Sequence, residues 1–304
     1  MTGGLAGILK AKDIPFVEHA ETASLSTFRI GGSCRYLITP RCEGELIAAL
    51  DAILGAGLSY LIVGRGSNLL FDDGEMPLAV LRTTQIDAVR RVGEGLFSVD
   101  CGASLPRLSH LTCRQGYLDL AFAAGIPGTV GGGVLMNAGA HGGSLSDVVK
   151  SVKALHIASG KITTLFNEQL AFSYRNSAFQ HDKWLILRAE LSLSSHATAV
   201  DAEALRRKLL AHRAATQPLD FPSAGSAFRR PADGTPLGKL FEELGLKGLR
   251  VGGAAVSRKH AGFIVNEGGA TARDVRALVA KIQDITEAKC GFRPQPEIRF
   301  ASER

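Results

Sequence analysis

The spacing of apolar residues divides the chain into two regions that differ in their predicted secondary structure. Between residues 26 and 195, short apolar or alternating runs predict strands, and two helically spaced segments predict helices at 43–56 and 104–115, the second with Ser104 as N-cap. The runs at 152–157 and 161–165 flank Ser159 and Gly160 and predict a hairpin. The predicted strands lie within 26–40 and at 60–63, 78–81, 97–101, 152–157, 161–165 and 184–193.

The remainder of the chain is richer in helical spacing. A basic amphipathic pattern predicts a helix at 201–215, and a long loop rich in Pro, Gly and Ser follows at 216–236. Two further helices are expected at 236–244 and 271–290, with short strands at 261–265 and 297–300. We therefore predict an α+β protein with a lead-in at 1–25 and domains at 26–195 and 196–304.

Glycine is unusually dense between residues 125 and 143. Because each glycine inside a helix or strand costs about 0.5–1 kcal/mol relative to alanine, we expect neither an ordinary helix nor an ordinary strand here. Bare main-chain N–H groups suit a phosphate, so the stretch predicts an anion cradle. A surface loop is the alternative, but Ile126, Val130 and Val134 between the glycines favour burial.

A second glycine turn, residues 64–68, follows the predicted strand at 60–63. Turns of this kind present N–H groups and hydroxyls to anionic ligands. The sequence GRGSNL lacks the third glycine of GxGxxG, and GxxxxGK[ST] does not occur. A Rossmann domain and a P-loop are therefore disfavoured.

The composition is that of a globular protein, 45% hydrophobic and 21% charged. Apolar runs are too short for a membrane span, and the first residues resemble no signal peptide, so we expect a cytoplasmic protein with no membrane partner. Five cysteines form no CxxC and the histidines are scattered, which predicts reduced thiols and no metal site. The net charge of +6 suits a polyanion, but spread basic residues and 6% aromatics favour a small phosphorylated ligand over nucleic acid.

Three places carry polar side chains that a core or turn does not require. They are Tyr174 and Arg175 among apolar residues, Ser226 followed by Arg229 and Arg230, and Glu297 with Arg299, which a strand would place on one face. Each also has an ordinary interpretation as a solvated loop residue, a turn former or a surface ion pair. The residues alone predict a nucleotide-like ligand and leave open whether the protein is an enzyme.

Six ordered motifs resemble the UDP-N-acetylenolpyruvoylglucosamine reductase family, in its shorter class. They are GRGSNLL, AGIPGTVGGGVLMNAGAHGG, SYRNSAF, PSAGSAFRRP, LGKLFEELGLKGLRVGGAAVSRKHAGFIVN and PEIRF. The resemblance implies an FAD-binding domain of the vanillyl-alcohol-oxidase (PCMH) type, followed by a smaller α+β substrate-binding domain. It also implies noncovalent FAD, NADPH as hydride donor, a nucleotide-sugar substrate, and a monomer in peptidoglycan precursor synthesis.

The resemblance assigns roles to individual residues. Arg175 and Glu297 match residues that polarise the substrate carboxylate and steady an enol-like intermediate, and Ser226 matches the proton donor to the α-carbon. Implied substrate contacts are Tyr174, Arg229, Arg230 and Lys239; the two arginines stand where the family commonly has Lys followed by Asn or Arg. Implied cofactor contacts are Gly64, Gly66, Ser67, Asn68, Leu69, Gly125, Ile126, Pro127, Gly128, Gly131, Gly132, Gly133, Asn137, Ala138, Gly139, Ala140 and Arg299.

Three other functions remain as alternatives. A related FAD-dependent oxidase would use oxygen and need a different second domain. An inactive flavin or nucleotide-sugar binding protein would tolerate changes at Ser226. A nucleic-acid binder would use the basic helix at 201–215 with a steep salt dependence.

Overall fold

The computed structural model describes residues 4–181 and 183–302, so the ends of the predicted lead-in and of the predicted second domain lie outside the described residues. The helices are α1 Leu5–Ala11, α2 Glu43–Gly55, α3 Leu105–Cys113, α4 Val130–Leu135, α5 Ala199–Thr216, α6 Leu237–Glu243 and α7 Ala272–Cys290. The strands are β1 Phe16–Glu21, β2 Ser33–Ile38, β3 Ser59–Val63, β4 Leu69–Leu70, β5 Glu75–Arg82, β6 Val89–Gly93, β7 Leu96–Asp100, β8 Gly139–Ala140, β9 Gly143–Ser144, β10 Val149–His156, β11 Lys161–Phe166, β12 Trp184–Ser192, β13 Ser223–Ser226, β14 Arg250–Val251, β15 Ala254–Val256, β16 Phe263–Asn266 and β17 Arg299–Phe300.

The chain forms two compact units that interleave along the sequence. The first contains the described part of Met1–Phe16 together with Ile38–Gly64 and Val80–Arg213. The second contains Val17–Leu37, Arg65–Ala79 and the described part of Ala214–Arg304. The functional domain boundaries at 26–195 and 196–304 stay a prediction. Within the part of the chain that the structure describes, no helix is long and apolar enough to cross a membrane.

The first unit is built on an antiparallel sheet in the order β11-β10-β12-β7-β6. The predicted hairpin is confirmed, with Leu155 opposite Ile162 and His156 opposite Lys161. Strand β12 alternates in burial, so that Leu187, Ala189 and Leu191 face the core. Helix α3 begins after Ser104 as predicted, although the Ser104 side chain makes no capping hydrogen bond.

The second unit contains the antiparallel sheet β13-β16-β15-β14, against which the amphipathic helix α7 packs. Its core includes Phe28, Phe228 and Phe241 together with the inner face of α7. A capping box between Thr271 and Asp274 begins α7, and Gly291 ends it in the left-handed conformation at φ 75°. The short strand β17 pairs in parallel with β4, placing Arg299 beside Leu69.

Two expectations about local structure are wrong. The glycine stretch does contain a helix, α4, whose glycines pack closely at two positions: a Cβ at Gly133 would lie 2.7 Å from Leu145, and one at Gly131 would lie 3.0 Å from Cys101. The expected loop at 216–236 contains the strand β13, which pairs with β16. The strand predicted within 26–40 is confirmed as β2, and the one predicted at 297–300 is present but shorter, as β17.

Candidate functional site

Gly64, the first residue of the turn at 64–68, lies against the glycine stretch at 125–143 inside the first unit. A Cβ added to Gly64 would lie 2.2 Å from Oγ1 of Thr129, so only glycine allows the end of β3 to approach the second stretch this closely. Thr129 is also the N-cap of α4, and its hydroxyl accepts a hydrogen bond from the N–H of Gly132. Gly64 and the stretch around Thr129 therefore lie together, as expected for parts of one binding surface.

Most amides at the start of α4 are used within the protein. Val130 N–H donates to Ala103 O at 2.8 Å, Gly131 N–H to Cys101 O at 2.7 Å, and Gly133 N–H to Thr129 O at 2.8 Å. The N–H groups of Asn137 and Ala138 also donate to the helix, to Val134 O and Gly133 O. Since these N–H groups are already hydrogen-bonded within the protein, contacts from these residues to a cofactor would have to use their other atoms.

Gly132 leaves open space on this surface. It is exposed, and a Cβ there would meet only Oγ1 of Thr129 at 3.5 Å, an ordinary contact. Packing therefore requires glycine at Gly133 and leaves little room for a Cβ at Gly131, but it permits a Cβ at Gly132. An exposed helical glycine that the fold does not require fits a backbone approached closely by a ligand. The stretch thus fits a dinucleotide such as FAD.

The predicted catalytic Arg175 lies on a loop tied to the end of the glycine stretch. Its Nη2 donates to Gly139 O at 3.3 Å, and its guanidinium lies 5.0 Å from the ring centre of Tyr174. Arg175 has φ 55°, a left-handed conformation that non-glycine residues rarely adopt. The amide of Gln180 holds this turn by donating to Arg175 O at 3.0 Å and to Leu135 O at 2.7 Å.

Asn137 joins the same two segments. Its Nδ2 donates to Ser173 O at 3.1 Å, and its Oδ1 accepts from Ser146 N–H at 2.9 Å. The side chain is buried, with 6% of the residue exposed, and the backbone is left-handed at φ 41°. This side chain connects the end of α4 to the Arg175 loop, so a cofactor contact by Asn137 would have to come from its main chain.

In the second unit, the C-terminal segment lies between two other predicted site segments. The Glu297 N–H donates to Ala227 O at 2.8 Å, next to Ser226, and Arg229 N–H donates to Gln295 O at 2.9 Å. On the other side, Arg299 N–H donates to Asn68 O at 3.0 Å. The structure therefore brings the segments carrying Ser226, Glu297 and Asn68 together.

Ser226 and Arg229 place a hydroxyl group and a positive charge near the point where these segments meet. Ser226 is exposed at the end of β13 after Gly225, whose φ is 79°. Burial lowers the pKa of Arg299, and the nearby Arg229 guanidinium lowers it further. Arg229 and Arg299 therefore both place positive charge in this part of the second unit.

Other predicted residues have different surroundings. Lys239 is 76% exposed at its side chain and lies 3.7 Å from Glu243 one turn along α6, as an ordinary surface ion pair would. Arg230 is also exposed. Gly66 has φ 60°, and a Cβ there would lie 2.2 Å from Leu25 O, so the turn itself requires this glycine. A substitution at Gly66 would therefore report on folding before it reports on a cofactor.

Sequence reasoning missed Arg213 at the end of α5. The side chain lies against Gly125, where a Cβ would come within 2.5 Å of its Cδ. His141, which follows Ala140 in the glycine stretch, has its ring 5.4 Å from that of His212. No sequence signal could have found this cluster, because it joins the glycine stretch to a distant helix. Among the described residues, no group of three or more His, Cys, Asp or Glu side chains could hold a metal ion.

Comparisons with known proteins agree with this arrangement. Residues 34–165 match the FAD binding domain family, and residues 217–301 match the C-terminal domain of UDP-N-acetylenolpyruvoylglucosamine reductase. A variant of BBE-like 1 from Physcomitrella patens shares the fold over 64% of this chain and 45% of its own, with a TM-score of 0.51 and 13% identity. The chain is an FAD-dependent oxidoreductase, and its predicted α+β class with an FAD-binding domain is confirmed.

Similarity over the whole chain narrows the class to one family. UDP-N-acetylenolpyruvoylglucosamine reductase of Caldicellulosiruptor bescii is 39% identical, covering 97% of this chain and 93% of the relative. That of Clostridioides difficile is 38% identical over 98% and 97% of the two chains. The crystal structure of the reductase from Thermus caldophilus covers 94% of this chain and 98% of its own, at 30% identity and a TM-score of 0.78. The chain belongs to the UDP-N-acetylenolpyruvoylglucosamine reductase family.

Proposed function

We propose that this protein reduces the enolpyruvyl group of UDP-N-acetylglucosamine enolpyruvate to give UDP-N-acetylmuramate, with NADPH as the hydride donor. The observation that carries the proposal is the hydrogen-bonded arrangement of the Ser226, Glu297 and Asn68 segments. Family membership over nearly the whole chain supports the same substrate. A cytoplasmic monomer in peptidoglycan precursor synthesis is part of this proposal, because both the nucleotide sugar and NADPH are cytoplasmic metabolites.

FAD, when bound, would supply the chemistry for hydride transfer from NADPH to the β-carbon of the enolpyruvyl group. Gly64, Gly132 and the neighbouring glycine stretch would hold the cofactor through a close backbone approach. Reduction of the double bond also requires one proton at the α-carbon. The protein's own residues must supply that proton and stabilise the charge that precedes it.

We assign the proton to the hydroxyl of Ser226. An alcohol is a weak acid, so Ser226 can donate only to a strongly basic carbon centre, and its hydroxyl must then be re-protonated from water or a neighbour. Arg175 would hold the substrate carboxylate, on which negative charge develops, and Glu297 would steady the enol-like form. The left-handed backbone of Arg175, held by Gln180, fits a residue whose position is fixed before substrate binds.

We assign the nucleotide diphosphate to positive side chains near Ser226. Arg229 lies on the segment that pairs with the C-terminal strand, and Arg230 follows it as an exposed residue. A guanidinium can bind phosphate oxygens with two parallel hydrogen bonds. Tyr174 and Lys239 are the remaining proposed substrate contacts.

The visible spectrum of the purified protein tests the whole proposal. Under anaerobic conditions, NADPH should bleach the flavin bands, and the enolpyruvyl nucleotide sugar should restore them with formation of the saturated product. Restoration by oxygen or by an unrelated sugar alone, with no response to the enolpyruvyl substrate, would favour an oxidase. Protein that stays colourless after incubation with FAD would contradict both the cofactor assignment and the reaction.

A further inference from the structure

Arg276, on helix α7 of the second unit, contacts the ends of both strands of the small parallel sheet formed by β4 and β17. Its Nη2 lies 3.0 Å from Oδ1 of Asp72, two residues after β4, and donates to Oγ of Ser302 at 2.9 Å, two residues after β17. Its guanidinium carbon lies 4.1 Å from the ring centre of Phe300, a distance at which a cation and an aromatic ring attract each other. One side chain therefore connects α7 to both strands.

The segment after β4 is fixed to α7 by two successive carboxylates. Asp73 accepts hydrogen bonds from the N–H groups of Ala272 and Arg273, at 2.5 Å and 3.0 Å, in the first turn of the helix. One turn later, Arg276 pairs with Asp72, whose Oδ2 is buried and has no hydrogen-bond partner within residues 4–181 and 183–302. Because a carboxylate withdrawn from water needs an opposite charge, Asp72 in turn fixes the position of the Arg276 guanidinium.

Strand β17 has little main-chain support. The N–H groups of Arg299 and Ala301 each donate at 3.0 Å to a main-chain oxygen before or within β4. Before Arg299, the side chain of Ile298 is buried in the core. After Arg299, Phe300 packs on the edge of that core and receives the Arg276 guanidinium on its ring. Arg299 is therefore held on both sides, and one of the two anchors depends on Arg276.

This second anchor determines the direction of a predicted site residue. Consecutive side chains on a strand point to opposite faces, so contact of Phe300 with Arg276 on one face turns Arg299 to the other. There, burial lowers the pKa of Arg299 and the charge of Arg229 lowers it further. Glu297 lies two residues before Arg299 in the same segment, so a displaced β17 would move both side chains.

We propose that Arg276 is a positioning residue, which holds β17 so that Arg299 and Glu297 face the proposed active site. The effect on the reaction rests on the proposed function, whereas the contact with β17 does not. Loss of the guanidinium should release the end of β17 without unfolding the unit, because the apolar face of α7 stays in the core through Val275 and Leu278.

Arg276→Gln tests this role. Glutamine is a good helix former, but it offers neither a charge to Asp72 nor a planar cation to Phe300. Arg276→Lys keeps the charge without the planar group. Arg276→Gln combined with Asp72→Asn leaves no carboxylate unpaired, and it replaces the single variant if that variant does not fold. Arg273→Gln is the matched control, because its side chain is exposed on the same helix and Asp73 binds its main chain.

Hydrogen exchange of main-chain amides in the FAD-bound protein measures the hold on β17 without any substrate. With Arg276→Gln, the amides of Arg299 and Ala301 should exchange at least tenfold faster than in wild type, and those inside α7 less than twofold faster. Arg276→Lys should give intermediate rates, and Arg273→Gln should match wild type. Unchanged exchange in β17, or equal acceleration in β17 and α7, would overturn the proposal.

Stopped-flow absorbance measures the consequence for the proposed reaction. With Arg276→Gln, reoxidation of the reduced flavin by saturating enolpyruvyl substrate should be at least tenfold slower, and flavin reduction by NADPH should stay within twofold of wild type. Arg276→Lys should restore part of the reoxidation rate. Faster exchange in β17 with normal reoxidation would overturn the positioning role. Wild-type protein that the substrate does not reoxidise would instead contradict the proposed function, and exchange in β17 would then decide by itself whether Arg276 holds the strand.

Discussion

The side-chain amide of Asn68 donates a hydrogen bond to the main-chain oxygen of Glu297, with 3.0 Å between Nδ2 and O. Asn68 O accepts in return from the N–H of Arg299 at 3.0 Å, so one residue holds both ends of the segment that carries the proposed catalytic carboxylate. The resemblance assigns Asn68 to the cofactor. The geometry adds a second role, in which Asn68 positions Glu297.

We expect Asn68→Asp to slow reoxidation of the flavin by substrate at least tenfold, while flavin reduction by NADPH stays within twofold. The change places a carboxylate oxygen opposite the carbonyl of Glu297, which replaces a hydrogen bond with repulsion. Stopped-flow absorbance measures the two half-reactions separately. If Asn68 acts through Glu297, Asn68→Asp combined with Glu297→Gln should be no slower than Glu297→Gln alone.

Gln283→Glu provides the control for this prediction. Gln283 Nε2 donates to Pro294 O at 2.9 Å, on the same C-terminal segment but before Glu297. The control removes an equivalent hydrogen bond and should affect thermal stability more than reoxidation. Additive effects of the Asn68 and Glu297 changes would show that Asn68 does not act through the carboxylate.

Ser226→Ala should leave flavin reduction by NADPH close to wild type and slow reoxidation by the enolpyruvyl substrate by at least a hundredfold, because the α-carbon then lacks its proton donor. Ser223→Ala, on the same strand, should leave reoxidation nearly unchanged. Rapid-mixing measurements with both variants check the difference. Unchanged turnover in Ser226→Ala would remove serine from the mechanism.

Gln180→Glu should both destabilise the protein and raise the KM for the enolpyruvyl substrate. The change removes the donor to Leu135 O and Arg175 O and places a carboxylate oxygen against both carbonyls, which should cost about 1–3 kcal/mol even though the Ser177 hydroxyl still donates to Leu135 O. Gln169→Glu is a suitable control, since Gln169 accepts from Phe166 N–H through an oxygen that glutamate retains. Urea unfolding and steady-state kinetics measure the two effects. A loss of stability with normal KM would assign Gln180 a purely structural role.

Gly132→Ala and Gly133→Ala should separate packing from cofactor binding. At Gly133 the added Cβ would meet Leu145 at 2.7 Å and Leu105 at 3.1 Å, so we expect a loss of about 1–3 kcal/mol in the free energy of unfolding. At Gly132 it meets only Thr129 at 3.5 Å, so the apoprotein should keep its stability or gain up to about 1 kcal/mol from the better helix former. If FAD approaches Gly132, that variant should bind FAD at least tenfold more weakly. Normal FAD binding by folded Gly132→Ala would place the cofactor elsewhere.

The spacing of apolar residues correctly predicted those helices and strands that are determined by residues close together in the sequence. The hairpin of β10 and β11 and the helix α7 follow from alternation, helical spacing and capping residues that lie within a few positions of each other. The helix α4 could not be predicted, because Gly131 and Gly133 pack against Cys101 and Leu145, which lie in other segments of the chain. The density of glycine between residues 125 and 143 indicated that side chains are excluded there. It did not show whether packing or a ligand excludes them.

The candidate site likewise contains residues that the sequence predicted and contacts that it did not. Motif order identified Arg175, Ser226 and Glu297, since those segments have a recognisable sequence. The contacts that hold them, from Gln180 and Asn68, and the packing of Arg213 against Gly125 depend on folding and had no sequence pattern. Contacts between distant segments therefore account for most of what sequence reasoning missed.

The pairing of Glu203 with Arg206 makes the free energy of unfolding depend on pH in the acidic range. The Arg206 hydrogen bond lowers the pKa of Glu203 to about 2, from an ordinary value of 4.5. Because the folded state favours the ionised form, the stabilisation is complete above about pH 4.5 and is lost as the pH falls toward 2.

Glu203→Gln should therefore be less stable than wild type at pH 7, by about 1–3 kcal/mol given a side chain 15% exposed, and the difference should shrink steadily below pH 4.5. Urea unfolding at several pH values measures it, with the exposed Glu94→Gln as a control that should change little at any pH. A difference between Glu203→Gln and wild type that stays constant from pH 7 to pH 3 would show that the ion pair does not stabilise the fold through the charge of Glu203.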